Sequence, residues 1–460
     1  MTREHPSQIT RREFLAETAK RSVGTLAIVG GATAGATLSR SIRPRVARAQ
    51  EKRLVVWWWG DQEAQGAKDW MAETVQLFEQ AHPGVTVETV LQTTDGLYPA
   101  FEAAAAAREG PDVQYLWGGI NTLAMAWKGY LAPISDFLPQ EEWQNYLNHQ
   151  EDSFDGKLWS APWYTQPSFP LLYNKELFQT ANLDPEAPPQ TWDEFLTAGD
   201  ALKTAGIIPL AGGIKDGWLG GWLFSVLSIQ TLDTIKELMA AVTDGDLREP
   251  KFSEWIHRVD ETIQRQFWND DVTSLELYQG QALWSQGKAA MSYVAGSDIR
   301  KFVTEMGADK CGVLKTPRYG NGQLAGTFGS TSQTLAIPSF AKEKELAAEF
   351  IKFVHEPDRM RRFYEITGSI PADDRFPIES ITLPQQQQLF EWMTKSGGPY
   401  PENFIPLKLD ADGNFAGMQL LFSKSKSAED VINLMQQVVE QWREESPEEV
   451  DNFRAWQQAL

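Results

Sequence analysis

The chain has 460 residues, 42% of them hydrophobic and 23% charged, which is enough apolar material for folded cores and too much chain for one ordinary core, so two domains are expected. A formal net charge of −20 argues against nucleic acid as a partner, because phosphate backbones attract basic surfaces. The single cysteine, Cys311, excludes an intramolecular disulfide; followed by Gly312 and Val313, it reads as a small buried residue rather than a nucleophile.

Residues 1–49 stand apart from the rest. Arg11-Arg12 precede Phe14-Leu15, a weakly apolar stretch rich in Gly, Ala and Thr runs from 23 to 38, and Arg40, Arg43, Arg45 and Arg48 lead to Ala47-Arg48-Ala49. Basic region, apolar region and small-x-small site occur in the order of an export signal, and the paired arginines with positive charge after the apolar stretch point to the twin-arginine route. Cleavage after Ala49 would remove nine basic and three acidic residues and take the net charge from −20 to −26. No other apolar run reaches the ~20 residues needed to span a bilayer. The expected location is therefore the periplasm or the outer face of the cytoplasmic membrane.

From residue 54 the pattern alternates between strand and helix. Leu54-Val55-Val56-Trp57-Trp58-Trp59 is a β-type run stopped by Gly60-Asp61. Residues 64–81 place Trp70, Met71, Val75, Leu77 and Phe78 at helical spacing before Pro83-Gly84. Residues 85–91 alternate as a strand, 97–108 read as a helix with five consecutive alanines, and Gly110-Pro111-Asp112 opens a strand over 113–117 that ends at Gly118-Gly119. The order βαβαβ predicts an α/β fold with a mostly parallel sheet flanked by helices, and ligands of such sheets lie beyond the carboxyl ends of the strands. Those ends carry Trp59-Gly60-Asp61 and Trp117-Gly118-Gly119. A second α/β region follows: a strand ends at 171–174, Thr191 and Glu194 form a capping box for a helix running to Gly206, and Pro209-Leu210-Ala211-Gly212-Gly213 is a further strand exit, with Trp218 and Trp222 just beyond it. Helices dominate 231–267 and 342–460.

Enzymatic signatures are absent from the sequence. The five histidines (His5, His82, His149, His257 and His355) have no metal-ligand spacing, no Gly-x-Ser-x-Gly elbow occurs, and Gly212-Gly213 with Gly220-Gly221 do not make a phosphate loop. No catalytic residue, metal or cofactor is assigned. A glycan hydrolase is the alternative of a different class, since its carboxylate pair is defined in space rather than in sequence.

Several segments, taken in order, resemble the family 1 extracellular solute-binding proteins, the sugar-binding subunits of ABC importers to which the maltose-binding protein belongs. They are GPDV (110–113), FDGKLWSAPWYTQPSFPLLYNKELF (154–178), PPQTWDEF (188–195), LWSQGKAAMSYVAGS (283–297), FGSTSQTLAIP (328–338) and AAEFIKFV (347–354). The resemblance implies a two-lobed fold with mixed sheets flanked by helices and a ligand cleft between the lobes. It also implies repeated crossings, with lobe one at 50–161 and 291–340 and lobe two at 162–290 and 341–460. It further implies a small-molecule solute, a mono- or oligosaccharide, delivered by a monomer to the permease subunits of an ABC importer. Within the same class the solute could be a polyol, a glycerophosphodiester or a polyamine.

Sugars stack their C–H faces on aromatic rings while polar side chains bond their hydroxyls. On that chemistry and the resemblance, the expected ligand contacts are Trp59, Asp61, Trp117, Trp163, Tyr164, Trp218, Ser297, Gly329 and Thr331. Asp61 carries over from the family's sugar-contacting Asp, whereas Gln62 stands where the family has Lys. Alternation places Trp57 and Trp59 on one face of their strand and Trp58 on the other. Asp112 reads as a turn residue and Trp284 as structural.

Overall fold

The structure, a computed structural model, describes residues 52–61, 64–94 and 96–460. Residues 1–49, expected to be an export signal, and Gln62 lie outside the described residues. The predicted βαβαβ unit forms as β1 (Lys52–Trp58), α1 (Ala67–Ala81), β2 (Val85–Leu91), α2 (Leu97–Ala107) and β3 (Val113–Trp117). Both β2 and β3 pair with β1 in parallel, with Lys52 opposite Val85 and Val56 opposite Val113. The Asp112 carboxylate accepts from the amides of Val55, Lys342 and Glu343, at 3.0, 2.9 and 3.2 Å, and so ties the entry of β3 to the neighbouring chain.

The chain then runs through β4 (Ser160–Pro167) and directly into β5 (Leu171–Asn174), which belongs to a second sheet. That sheet is completed by β6 (Ile208–Ala211), β7 (Ala289–Tyr293) and β8 (Cys311–Leu314) in the spatial order β8-β5-β7-β6. Between β5 and β6, α3 (Trp192–Thr204) starts at the expected capping box: the Glu194 amide donates to Thr191 Oγ1 at 3.4 Å, and the Thr191 amide donates to Glu194 Oε2 at 3.0 Å. Gly206 follows at φ 74°, the left-handed conformation that glycine adopts without strain just past a helix end. After β6, α4 (Trp218–Ser228) begins at Gly217.

The chain returns to the first sheet through β9 (Phe328–Pro338), which is antiparallel to both β3 and β4. Every residue of β4 and of β9 is buried. Each of these strands therefore has both faces covered, which is how a central strand differs from a half-exposed one.

Sheet membership moves the crossings away from the expected boundaries. All of β4 lies in the first sheet, so the first crossing falls at 168–170 instead of 161/162. Both β7 and β8 lie in the second sheet, so the return falls at 315–327 instead of 290/291. Residues 341–376 stay with the first lobe instead of leaving it at 340. α5 (Lys344–Val354) buries Leu346, Ala347, Phe350 and Ile351 in the same core as Leu54, Val56 and Trp70. A buried ion network also holds this stretch: Arg375 bonds Asp373 and Glu142, and His355 Nδ1 lies 3.0 Å from Asp373 Oδ2. Hydrophobic packing of the chain, rather than the position of a motif, decides which lobe each segment joins.

From Leu389 on, the chain packs mainly into the second lobe, apart from Gly397–Gly398, which pair in parallel with Phe328 and Gly329 of β9. The large core of the second lobe runs from Phe169 and Leu171 through Trp255 to Trp442 and Trp456. Among the described residues no helix is long and apolar enough to cross a membrane.

Candidate functional site

The exits of β1 and β3 bring three rings together on the first lobe. Trp59 is 5.4 Å from Trp117 in an edge-to-face arrangement, and Trp117 lies 5.3 Å from Tyr98. Trp59 is held by its indole N–H, which donates to Thr94 Oγ1 at 3.0 Å, and Trp117 by its backbone amide, which donates to Tyr98 Oη at 3.1 Å. On the second lobe Trp218 opens α4, 5.0 Å from Phe415. Trp117 and Trp218 meet edge to face at 5.8 Å, so the two lobes face each other through aromatic rings. Tyr98, Trp117, Trp218 and Phe415 are each only partly buried. Access retained where rings of the two lobes meet marks them as candidates for the wall of a cleft.

The rest of the wall comes from residues 400–415, which no motif in the sequence marks. Asn403 reaches the first lobe: its Nδ2 donates to Glu151 Oε2 at 2.8 Å and to Thr331 Oγ1 at 3.0 Å. Glu402 reaches the second lobe, where its Oε2 accepts from Tyr400 Oη at 2.5 Å and from Ser225 Oγ at 3.4 Å. Asp410 Oδ1 accepts from Asn414 Nδ2 at 3.0 Å. Glu402 and Asp410 bond each other as well. Two carboxyl groups can do so only by sharing a proton.

Burial pushes all four carboxyls of this region up. Glu151 rises to about 8. Asp152 rises well above the ordinary range through burial and then through the charge of Glu151, although the Gly119 amide bonds it at 2.8 Å. Burial raises Glu402, and it raises Asp410 strongly with help from the charge of Glu402. Among the described residues no lysine or arginine is ion-paired to any of the four, and the charged groups that act on them are one another.

Of the expected contacts, Trp117 and Trp218 meet across the lobes, and Trp59, 6% exposed and part of the first-lobe core, packs edge-on against Trp117. Thr331 touches the cleft through Asn403. Asp61 sits at its margin and serves the helix instead. Its Oδ1 accepts from the Lys68 amide at 2.7 Å, which satisfies a free N–H in the first turn of α1.

Trp163 and Tyr164, expected to face the cleft, are each 3% exposed and belong to the core of the first lobe. Trp163 is ringed by Trp58, Trp70, Tyr115 and Phe363 at centroid distances of 5.2–6.4 Å. Gly329 is buried where its chain passes Pro399, whose carbonyl oxygen would lie 2.6 Å from a Cβ, and with Ser168, Lys315 and Pro399 it lines a small recess beside the crossings, away from the rings. Ser297 is buried beside the first crossing, with Gly296 packed on Pro167. Trp222 stacks on Phe169 at 3.7 Å and is part of the core. Trp284 is fully buried, as expected. Burial also pushes the Cys311 thiol up to about 12, which makes it unreactive.

A separate recess of about 330 Å³ lies near Leu147, Ile370, Phe376, Phe390 and Met393, away from these rings. Among the described residues no group of three or more His, Cys, Asp or Glu side chains could hold a metal ion.

Comparison with known proteins bears on the fold and the family. An uncharacterized ABC transporter extracellular-binding protein of Pyrococcus horikoshii is 23% identical over 448 residues, covering 90% of this chain and 94% of that protein. An sn-glycerol-3-phosphate-binding periplasmic protein of Rhizobium meliloti is 28% identical, covering 71% of this chain and 76% of that one. Among solved structures, a chitin oligosaccharide binding protein superposes with a TM-score of 0.75 at 21% identity, covering 85% of this chain and 98% of that one. A maltose-bound binding protein of T. maritima superposes with a TM-score of 0.67 at 18% identity, covering 84% and 99%. These likenesses establish the two-lobed α/β fold with a cleft between the lobes. The family model described as bacterial extracellular solute-binding protein matches residues 60–360, well over half of the chain, and the chain belongs to that family.

Proposed function

We propose that this protein captures a carbohydrate, a mono- or oligosaccharide, in the cleft between its lobes and delivers it to the permease of an ABC importer. The facing rings of Trp59, Trp117, Trp218 and Phe415 carry this reading, with Glu151, Glu402, Asn403 and Asp410 beside them. Aromatic faces take the apolar C–H faces of a sugar, and the polar groups fix its hydroxyls. The chitin oligosaccharide and maltose binders of the same fold support it.

The glycerol-3-phosphate binders among the relatives suggest a phosphorylated polyol instead. The site's chemistry argues against that. Phosphate is held by cationic or N–H donors, and among the described residues no lysine or arginine is ion-paired to these four carboxyls. Hydrolysis of a glycan is also disfavoured. The carboxyls of glycosidases stand ~5–9.5 Å apart, whereas Glu402 and Asp410 bond each other directly.

On this reading the protein is a monomer that works outside the cytoplasm. It is exported through Arg11-Arg12 by the twin-arginine route, and it closes by hinge motion at the crossings 168–170 and 315–327. A thermal-shift and calorimetric screen of sugars, polyols, phosphodiesters and polyamines tests the substrate class. A sugar should raise the melting temperature and bind stoichiometrically. A clear non-sugar ligand with no sugar response, or release of cleaved glycan, would overturn it.

A further inference from the structure

The second-lobe side of the cleft is rich in acceptors and poor in donors. Glu402 and Asp410 already share what proton they have. Asn414 is fully buried; its Nδ2 is committed to Asp410, and its side-chain oxygen has no partner among the described residues. Such a buried acceptor costs about 1–3 kcal/mol unless something donates to it.

The packing keeps these groups together. A Cβ on Gly221 would come within 2.8 Å of the Phe415 ring and 3.0 Å of Glu402 Oε1, and one on Gly217 within 2.7 Å of Phe415. Glycine at both positions lets the start of α4 press Trp218 and Phe415 close to the acid pair. Gly217 also has φ 85°, which other residues rarely adopt.

Resting on the carbohydrate reading above, we propose that the solute is a cationic amino sugar. Its protonated primary amine sits against Glu402, Asp410 and the Asn414 side-chain oxygen, and its ring lies on Trp218. A primary ammonium offers three donors and no acceptor, which matches what this corner lacks. A hydroxyl at the same place donates only once and leaves the remaining acceptors without a donor. An anionic substituent would be repelled. The neighbouring aromatic faces add a favourable cation–π contribution.

The test compares three disaccharides of one skeleton by isothermal titration calorimetry on the exported chain near pH 6.5. These are a β-1,4-linked glucosamine disaccharide, its N-acetylated counterpart, and cellobiose, which has hydroxyls in place of the amines. Spermidine is the fourth ligand, supplying amines without a sugar ring. The amine-bearing disaccharide should bind at least tenfold more tightly than the other three. Glu402→Gln and Asp410→Asn should each reduce the ratio of its affinity to that of cellobiose at least tenfold.

Equal or tighter binding of a neutral disaccharide would overturn the inference and leave the carbohydrate reading standing. Spermidine binding without any disaccharide would overturn both. Failure of the amine-bearing disaccharide to bind refutes the inference in the wild-type protein, whatever the variants do.

Discussion

Two aromatic clusters lie within a short distance of each other in the first lobe, built from the same residue types, and they have opposite relations to solvent. Trp58, Trp70, Trp163 and Phe363 interlock in a core where the three tryptophans are each 3% exposed or less. Trp59, Trp117 and Tyr98 lie one layer away, at the strand exits, and two of the three keep partial access. The difference comes from what covers them. The first cluster is closed over by α1 and the 357–367 helix of its own lobe, as the bond from Trp70 Nε1 to Arg359 O at 3.0 Å shows. In the second, Trp117 is met by Trp218 from the opposite lobe, while Trp59 also packs on Tyr115 of its own lobe. A ring covered by its own lobe serves stability, and a ring covered by the other lobe can exchange that cover for a ligand.

The comparison breaks most sharply at Trp163. Trp163→Ala should destabilise the protein by ~3–5 kcal/mol, the usual loss for a fully buried large aromatic, as measured by urea unfolding. If its stability were instead unchanged and ligand affinity fell, the two clusters would have to be reassigned. Trp218→Ala should do the reverse. Affinity for the bound sugar should fall by about tenfold or more, since a stacked aromatic contributes ~1–2 kcal/mol, while the melting temperature shifts little. A smaller effect is expected at Glu151. Its carboxyl is raised to about 8 from an ordinary 4.5, so the folded state holds the proton more tightly than the unfolded one. Stability therefore falls as pH rises from about 4.5 to 8. Glu151→Gln keeps the acceptor for Asn403 and removes the titration. The variant should match the wild type near pH 4 and be ~1 kcal/mol more stable at pH 8, a value reduced because the side chain retains solvent contact. A pH-independent difference would remove Glu151 from the buried acid set.

The same contrast explains which parts of the molecule could be read from sequence. The βαβαβ start and the Thr191–Glu194 cap are local patterns, and they form where the residues predicted them. The positions of Trp59, Trp117 and Trp218 were legible because each lies at or beyond the end of a strand, where ligands of α/β sheets are expected. Trp163 misled because β4 is buried on both faces, so alternation along it carries no information about which side is the cleft. Glu402, Asn403 and Asp410 were illegible for another reason. They lie in short irregular helices beyond the matched residues 60–360, and Asn403 meets Glu151 across a separation of 252 residues. No spacing rule encodes a contact of that range. A cue existed only in the composition of 400–415, where Tyr, Glu, Lys, two Asn and two Asp are interspersed with apolar residues.

Asp61 offers the finest test of the boundary between the two roles, because it lies close to Trp59 in sequence and was expected to touch the ligand. Its carboxylate instead bonds the Lys68 amide and lies 3.8 Å from the Lys68 ammonium. A negative charge there suits the positive end of the α1 dipole and satisfies one of the helix's free N–H groups. Asp61→Ala should therefore cost ~0.5–1 kcal/mol of stability, the scale of a lost helix-terminal bond at a partly exposed site, and should leave sugar affinity within about twofold. Asp61→Asn keeps an acceptor oxygen and should recover part of the stability. A tenfold loss of affinity in both variants, at unchanged stability, would move Asp61 into the cleft and extend the ligand-facing surface past Trp59 to the start of α1.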